Sequence, residues 1–202
     1  IEEFGQSCPN GFLNFCLPLH GDKELFENIL GVPGSFAWMK ETYALIQRHA
    51  QDTGQISCVL NCVLSKFNHH AYAHVVDLAC KEFPHAPLGI AYARGNTHEP
   101  QATEVPIDSY VSAQKYLRAT RKAKKTSNPY SIMFDCIAEQ VTEKVSRVIQ
   151  GDLAALHCKA GKNFIVVYED GEVHPCELLQ CQGLPGRLDL PSQPSMGNLH
   201  DF

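Results

Sequence analysis

Residues 56–93 decide the fold class and read ISCVLNCVLSKFNHHAYAHVVDLACKEFPHAPLGIAYA. The run Ile56–Leu64 is apolar and bounded by polar residues, which predicts a buried strand, and Leu88–Ala93 is a second run of this kind. A helix is predicted between the two strands, because apolar residues recur at helical spacing at Tyr72, Val75, Val76 and Ala79. Strand, helix and strand in this order are typical of a parallel βαβ unit.

The chain before this stretch has the same alternation. Phe12–Leu19 is a short apolar run that ends at a His-Gly pair, which predicts another buried strand. A turn-rich joint at Gly31–Gly34 then leads to a helix predicted to begin near Ser35. Ligands of parallel α/β folds gather at the carboxyl ends of the strands. We therefore expect a site at three predicted strand ends: Pro18–Gly21, Asn61–Lys66 and Arg94–Asn96.

Two helices and a hairpin are predicted after the third strand. The helices span about Ile107–Lys124 and Tyr130–Gln150, and the second has an apolar stripe wide enough to cover a sheet. Further along, Phe164–Tyr168 and Glu172–His174 flank Asp170-Gly171, a strong hairpin signal because glycine adopts positive φ at little cost. The predicted organisation is an α/β domain over residues 1–150 and a hairpin-bearing domain over residues 151–202.

Composition narrows the functional classes. The net charge is −5 at pH 7, so the basic surface of a nucleic-acid binder is not expected. The basic cluster Arg118–Lys125 is interpreted as the solvated end of a helix, where cations favour the dipole, with a docking patch as the alternative. No apolar run approaches the ~20 residues of a transmembrane helix, and no signal peptide is visible. We expect a cytoplasmic protein without a membrane or nucleic-acid partner.

The nine cysteines are not spaced like a secreted disulfide scaffold, so reduced thiols are expected, some of them as metal ligands. Cys58 and Cys62 lie four residues apart in a predicted strand and therefore face the same side, as small core residues do. The chain contains no Gly-x-Ser-x-Gly, P-loop or Gly-x-Gly-x-x-Gly motif, which argues against the corresponding hydrolase and nucleotide-binding folds.

A second cysteine pair brackets the predicted hairpin. Cys158 and Cys176 stand at its two outer ends, so folding the hairpin would bring both thiolates to the same end as half of a soft-metal site. Spacing alone allows an iron–sulfur cluster. It also allows a zinc site completed by Cys181 or His174.

The pattern Cys158-x12-Gly171-x4-Cys176, with Ala160-Gly161 and Pro175, resembles the start of the SPASM/twitch extension of radical S-adenosylmethionine (SAM) enzymes. This extension follows a partial (β/α)6 TIM-like barrel with parallel strands. The resemblance implies that Cys158 and Cys176 ligate an auxiliary 4Fe-4S cluster. It also implies that residues 1–150 are the rear part of the barrel with its following helices, and that residues 151–202 begin the extension.

The upstream chain is similar to the same family at five short segments: Leu19–Gly21, Gly31–Phe36, Leu60–Asn68, Ala93–Asn96 and Gly197–Leu199. In the family, residues at the ends of such strands line the SAM pocket, so the resemblance implies that Asn61 and Arg94 contact this cofactor. The alternative is that Asn61 ends a strand and Arg94 pairs with a carboxylate.

The chain departs from the family pattern at positions that the family uses to bind and cleave SAM. The Cys-x-x-x-Cys-x-x-Cys motif, which binds the SAM-cleaving cluster, is absent from the sequence, and so are the first three βα units. Pro18 replaces a serine that often contacts the SAM ribose. We expect the chain to be the middle and rear of a longer protein and to be unable to cleave SAM by itself.

The resemblance implies a radical SAM oxidoreductase as the parent protein. Such an enzyme uses a second 4Fe-4S cluster to reduce S-adenosyl-L-methionine to a 5′-deoxyadenosyl radical, and it modifies peptides or builds cofactors. Its partners would be a peptide or small-molecule substrate and an electron donor such as a flavodoxin or ferredoxin. The alternative function is a non-catalytic, metal-stabilised binding module derived from such a barrel.

Overall fold

The computed structural model describes residues 10–94, 97–123, 129–152, 165–167, 171–174 and 197–198. In these residues the fold is mixed α/β, with five α-helices and a three-stranded parallel sheet. In chain order the elements are β1 Leu13–Pro18, α1 Lys23–Leu30, α2 Ser35–Thr53, β2 Ile56–Leu64, α3 Tyr72–Glu82, β3 Leu88–Tyr92, α4 Ile107–Ala123, α5 Pro129–Ile149, β4 Val166–Val167, β5 Glu172–His174 and β6 Gly197–Asn198.

The chain divides into two compact units. The first comprises Ile1–Ala93 and Glu104–Thr142, and the second comprises Arg94–Thr103 and Glu143–Phe202. The expected domain boundary at residue 150 stays a prediction. None of the described helices is long and apolar enough to cross a membrane.

The parallel sheet of the first unit has the strand order β1-β2-β3. Leu13 to Pro18 pair in register with Ile56 to Asn61, and Leu60 to Leu64 pair with Leu88 to Tyr92. The parallel βαβ arrangement predicted from residues 56–93 is thereby confirmed. Strand β2 has a buried residue at every second position, whereas the edge strand β1, which was predicted to be buried, has no fully buried residue.

The two faces of β2 differ in burial. Its alternate residues Ile56, Cys58, Leu60, Cys62 and Leu64 are at most 5% exposed, whereas the residues between them are half-buried. Helices α2 and α3 pack against β2, and α4 packs against β3. Right-handed crossovers between parallel strands place consecutive helices on one face of a sheet, and the other face therefore carries the small and polar side chains.

Helix α1 is not predicted from the sequence. Asp22 caps its first turn, because its Oδ1 accepts a hydrogen bond of 3.0 Å from the Leu25 N–H, and Gly31 ends it in the left-handed conformation at φ 67°. Phe26 is its one buried residue. A signal was present, because Leu25, Phe26, Ile29 and Leu30 recur at helical spacing between an aspartate N-cap and a C-terminal glycine, but it extends over only eight residues.

The prediction that the apolar stripe of the last long helix covers the sheet is wrong for its described part. Ile137 and Val141 of α5 are 48% and 49% exposed. Side chains that cover a sheet are buried against it, and these two are exposed. The apolar stripe therefore predicted the helix correctly but did not predict where the helix packs.

The free edge of β3 is covered by side chains of α4. The Leu60 N–H donates to the Pro87 carbonyl at 2.9 Å, and successive carbonyls of a strand point to opposite sides. The Leu88 and Ile90 carbonyls thus point away from β2. They accept hydrogen bonds from Arg121 Nη2 and from Gln114 Nε2, the latter at 2.8 Å. These bonds block the addition of a further strand.

The predicted hairpin of the second unit is confirmed. Strand β4 pairs antiparallel with β5, and Gly171 has φ 82°, the conformation for which glycine is suited. A third strand, β6, pairs antiparallel with β5. Two residues are too short a run to predict as a strand, so β6 had no sequence signal.

Candidate functional site

The helix-free face of the parallel sheet carries one row of residues that runs across all three strands. Pro18, Asn61 and Gly89 pair in register along this row. A Cβ placed on Gly89 would lie 3.9 Å from Asn61 Oδ1, so a side chain at position 89 would stand directly against the amide. The missing side chain leaves the Asn61 amide accessible from the face of the sheet.

Asn61 lies inside β2, three residues before the strand ends at Leu64. This placement contradicts the alternative that Asn61 merely ends a strand, and also the strand-end position on which its predicted contact with SAM was based; the contact itself stays a prediction. Within the part of the chain that is described, its amide makes no hydrogen bond. The other amide on this face, Asn14, lies at the amino end of the strands and accepts a hydrogen bond of 2.6 Å from Ser57 Oγ.

Asn68 organises the loops at the carboxyl ends of β1 and β2. Its side chain is 1% exposed. Its Oδ1 accepts hydrogen bonds from the Ser65 N–H at 2.7 Å and from Ser65 Oγ at 3.1 Å. Its Nδ2 donates to the carbonyls of His20 at 3.0 Å and Val63 at 3.1 Å. One amide thus satisfies four polar groups and fixes the edge of the sheet.

His20 extends the ladder between β1 and β2 beyond the last residue of β1. Its Nδ1 accepts a hydrogen bond of 3.4 Å from the Val63 N–H, and its ring stacks on Phe26 with centroids 6.0 Å apart. Burial lowers the pKa of the His20 imidazole, because removal from water disfavours the charged ring. The neutral ring, with an unprotonated Nδ1, is the form that the backbone N–H requires.

We expect acid to destabilise the fold through His20. Its folded pKa lies below its unfolded value of about 6.5, so the neutral ring contributes its full stability above that pH, and this stability is lost as the pH falls towards the folded pKa. Urea unfolding of the His20→Gln variant should depend less on pH below about 6.5 than unfolding of the unmodified chain. Equal pH dependence of unfolding in His20→Gln and in the unmodified chain would contradict the assignment.

Arg94 follows β3 by two residues, is exposed, and belongs to the second unit. Its predicted contact with SAM stays a prediction. The structure places Asn61 at an accessible position on the sheet of the first unit.

The Cys58 and Cys62 thiols are core groups, as predicted. They are 3% and 1% exposed. Burial raises the pKa of Cys58 to about 11 and that of Cys62 to about 12. A metal ligand must be a thiolate, so burial opposes metal binding by this pair.

The predicted cluster ligands Cys158 and Cys176 lie outside the described residues. Within the described ranges, no group of three or more His, Cys, Asp or Glu side chains is placed to hold a metal ion. His174, a candidate zinc ligand, is 9% exposed and its Nε2 lies 3.2 Å from Glu172 Oε2. A zinc role for His174 would have to replace or share this contact.

Sequence reasoning missed the structural roles of Asn68 and His20. An asparagine between a strand and a helix is a usual turn residue, and this was the one local signal at Asn68. Comparison of the chain with protein-family models, with curated proteins and with solved structures found no match.

Proposed function

We propose that this chain is part of a radical SAM oxidoreductase, with the rear of a partial (β/α)6 TIM-like barrel and its following helices in residues 1–150 and the start of a SPASM/twitch-type extension in residues 151–202. The main observation in support of the proposal is that helices cover only one face of the parallel sheet. Its helices lie on one face, and the opposite face has small and polar residues where the interior of such a barrel would be. The cysteine spacing around the hairpin supports the same family.

The row Pro18, Asn61 and Gly89 fits a SAM site. The Asn61 amide offers a donor and an acceptor, and the missing side chain at Gly89 leaves space directly against it. Reductively cleaved SAM would supply a carbon-centred radical, and the protein residues would bind and orient the cofactor. Asn61 would hydrogen-bond a polar edge of the cofactor while Pro18 and Gly89 pack against its faces.

The hairpin fits the auxiliary 4Fe-4S cluster by the chemistry of its cysteines, because thiolates are the usual ligands of such clusters. Since β4 and β5 are antiparallel, the chain enters β4 and leaves β5 at the same end of the hairpin. Cys158 precedes β4, and Cys176 follows β5. The proposal includes further cluster ligands in addition to these two cysteines. It also includes an electron donor of the flavodoxin or ferredoxin type and a peptide or small-molecule substrate. We propose that the parent protein is cytoplasmic.

SAM binding by the purified chain tests the proposal. We expect weak binding that is detected by saturation-transfer NMR, and we expect Gly89→Val to weaken it at least about tenfold, or about 1.4 kcal/mol. Gly89 has no unusual backbone requirement, and a Cβ there meets ordinary contacts of 3.7 and 3.9 Å, so the valine variant should fold.

Asn14→Ala is the matched control, because Asn14 lies on the same face but at the other end of the strands; it should bind SAM like the unmodified chain. Absence of SAM binding, or unchanged binding by Gly89→Val, would refute the proposed cofactor site. An iron–sulfur cluster without SAM binding would favour the metal-stabilised binding module.

A further inference from the structure

A groove of about 960 Å³ lies in the first unit beside the covered edge of β3. It is lined by residues of α3, α4 and α5, by the loop that leads into β3, and by residues of β2 and β3, namely Val59, Leu88, Gly89 and Ile90. Its volume lies within the usual range for sites that bind small organic molecules. Gly89 belongs to both the groove and the proposed SAM row, and the other lining residues take no part in the proposed SAM site.

The floor and one wall of the groove are apolar. Phe83 and Leu117 are buried beside it, and Ile137 and Val141 of α5 present half-exposed side chains to it. The two α5 residues are four apart and therefore lie on the same face of that helix. An apolar molecule in the groove would remove their surface from water.

Part of the lining is cationic. Arg118, Arg121 and Lys122 of α4 all line the groove, and their i, i+3, i+4 spacing places them on one side of the helix. The acidic residue that lines the groove, Glu139 of α5, lies with its Oε1 3.0 Å from Arg118 Nη1. Three cations and one carboxylate leave an excess of positive charge in a chain whose net charge is −5.

We propose that this groove binds a small amphiphilic carboxylate of the fatty-acid type. The alkyl chain lies against Ile137 and Val141, and the carboxylate binds Arg118 and Lys122, in competition with Glu139. Addition of a partner's strand is disfavoured here, because Gln114 and Arg121 already occupy the free carbonyls of β3. A free carboxylate of small volume satisfies both the charge and the dimensions of the groove.

The test measures binding of decanoate to the purified chain by calorimetry, with decan-1-ol as the uncharged counterpart. We expect decanoate to bind at least about tenfold more tightly than the alcohol. Arg118→Gln should weaken decanoate binding about tenfold, whereas Glu139→Gln should tighten it about threefold, because it removes the competing carboxylate. Opposite effects of two neutralising substitutions distinguish a specific carboxylate site from adsorption to apolar surface.

Protection of a cysteine from alkylation provides a second test of ligand binding in the groove. Cys136 is exposed and lines the groove, whereas the exposed Cys16 lies outside it. Peptide-level mass spectrometry should show that decanoate slows alkylation of Cys136 and not of Cys16. Equal binding of decanoate and decan-1-ol, no effect of Arg118→Gln, or equal protection of both cysteines would overturn the proposal, whatever the result for SAM.

Discussion

Replacement of Asn68 by alanine is expected to lower the free energy of unfolding by about 3–5 kcal/mol. The side chain is 1% exposed and makes four hydrogen bonds to the Ser65 N–H, Ser65 Oγ and the carbonyls of His20 and Val63. Alanine would leave these polar groups without their partner in a buried loop, and each unsatisfied buried group costs about 1–3 kcal/mol.

Urea unfolding of the purified chain, followed by circular dichroism, measures this effect. Asn14→Ala is the matched control, because the hydrogen bond between Asn14 and Ser57 is exposed, and it should change the stability by less than about 1 kcal/mol. Asn68→Asp tests the contribution of the hydrogen bonds of Asn68 separately from the contribution of side-chain packing. It retains an acceptor for Ser65 but places a carboxylate against two carbonyls, so it should be as harmful as alanine above the pKa of the new carboxyl group. A loss of less than about 1 kcal/mol in Asn68→Ala would contradict the role assigned to this residue.

The elements that sequence predicts well are those with a local physical cause. Strand β2 matches its predicted bounds because its apolar run is nine residues long and bounded by polar residues. The hairpin follows from Gly171, whose positive φ is a property of the residue itself. Strand β6 is two residues long and had no local signal. Helix α1 has helical periodicity and both caps, but only over eight residues, and it was missed.

The candidate site depends on register and on distant contacts, which the sequence does not encode locally. That Asn61 stands opposite Gly89 follows from the pairing of β2 with β3, and a shift by one residue would turn Asn61 to the helix-covered face. Asn68 reaches the carbonyl of His20, which is 48 residues away in the chain. The apolar run of β2 could be recognised in the sequence, but the partners of each residue could not.

Cys176→Ala is expected to abolish formation of the iron–sulfur cluster in the reconstituted chain. After anaerobic reconstitution with iron and sulfide, the unmodified chain should have the visible absorbance of an iron–sulfur centre, and the variant should have none above background. A chain with two of the expected thiolate ligands holds its cluster weakly, so the loss of either thiolate leaves too few protein ligands. Cys158→Ala should have the same effect.

Two control variants separate the hairpin pair from the other thiols. Cys16→Ala removes an exposed thiol of the first unit. Cys62→Ala removes a thiol whose pKa burial raises to about 12. Both controls should keep the cluster, because neither thiol belongs to the hairpin pair. A loss of cluster in Cys62→Ala with retention in Cys176→Ala would reverse the assignment of the two cysteine pairs.

Metal analysis of the anaerobically purified chain decides between iron and zinc at the hairpin. Thiolates bind both metals, but a structural zinc site requires four protein ligands, so zinc would need two ligands in addition to the pair, for which Cys181 and His174 are candidates. His174→Ala also removes the contact with Glu172, and its effect on zinc content must therefore be compared with that of Glu172→Gln. Zinc without iron or sulfide, lost in His174→Ala or Cys181→Ala but kept in Glu172→Gln, would replace the cluster with a zinc hairpin and would remove the main chemical support for a radical SAM parent.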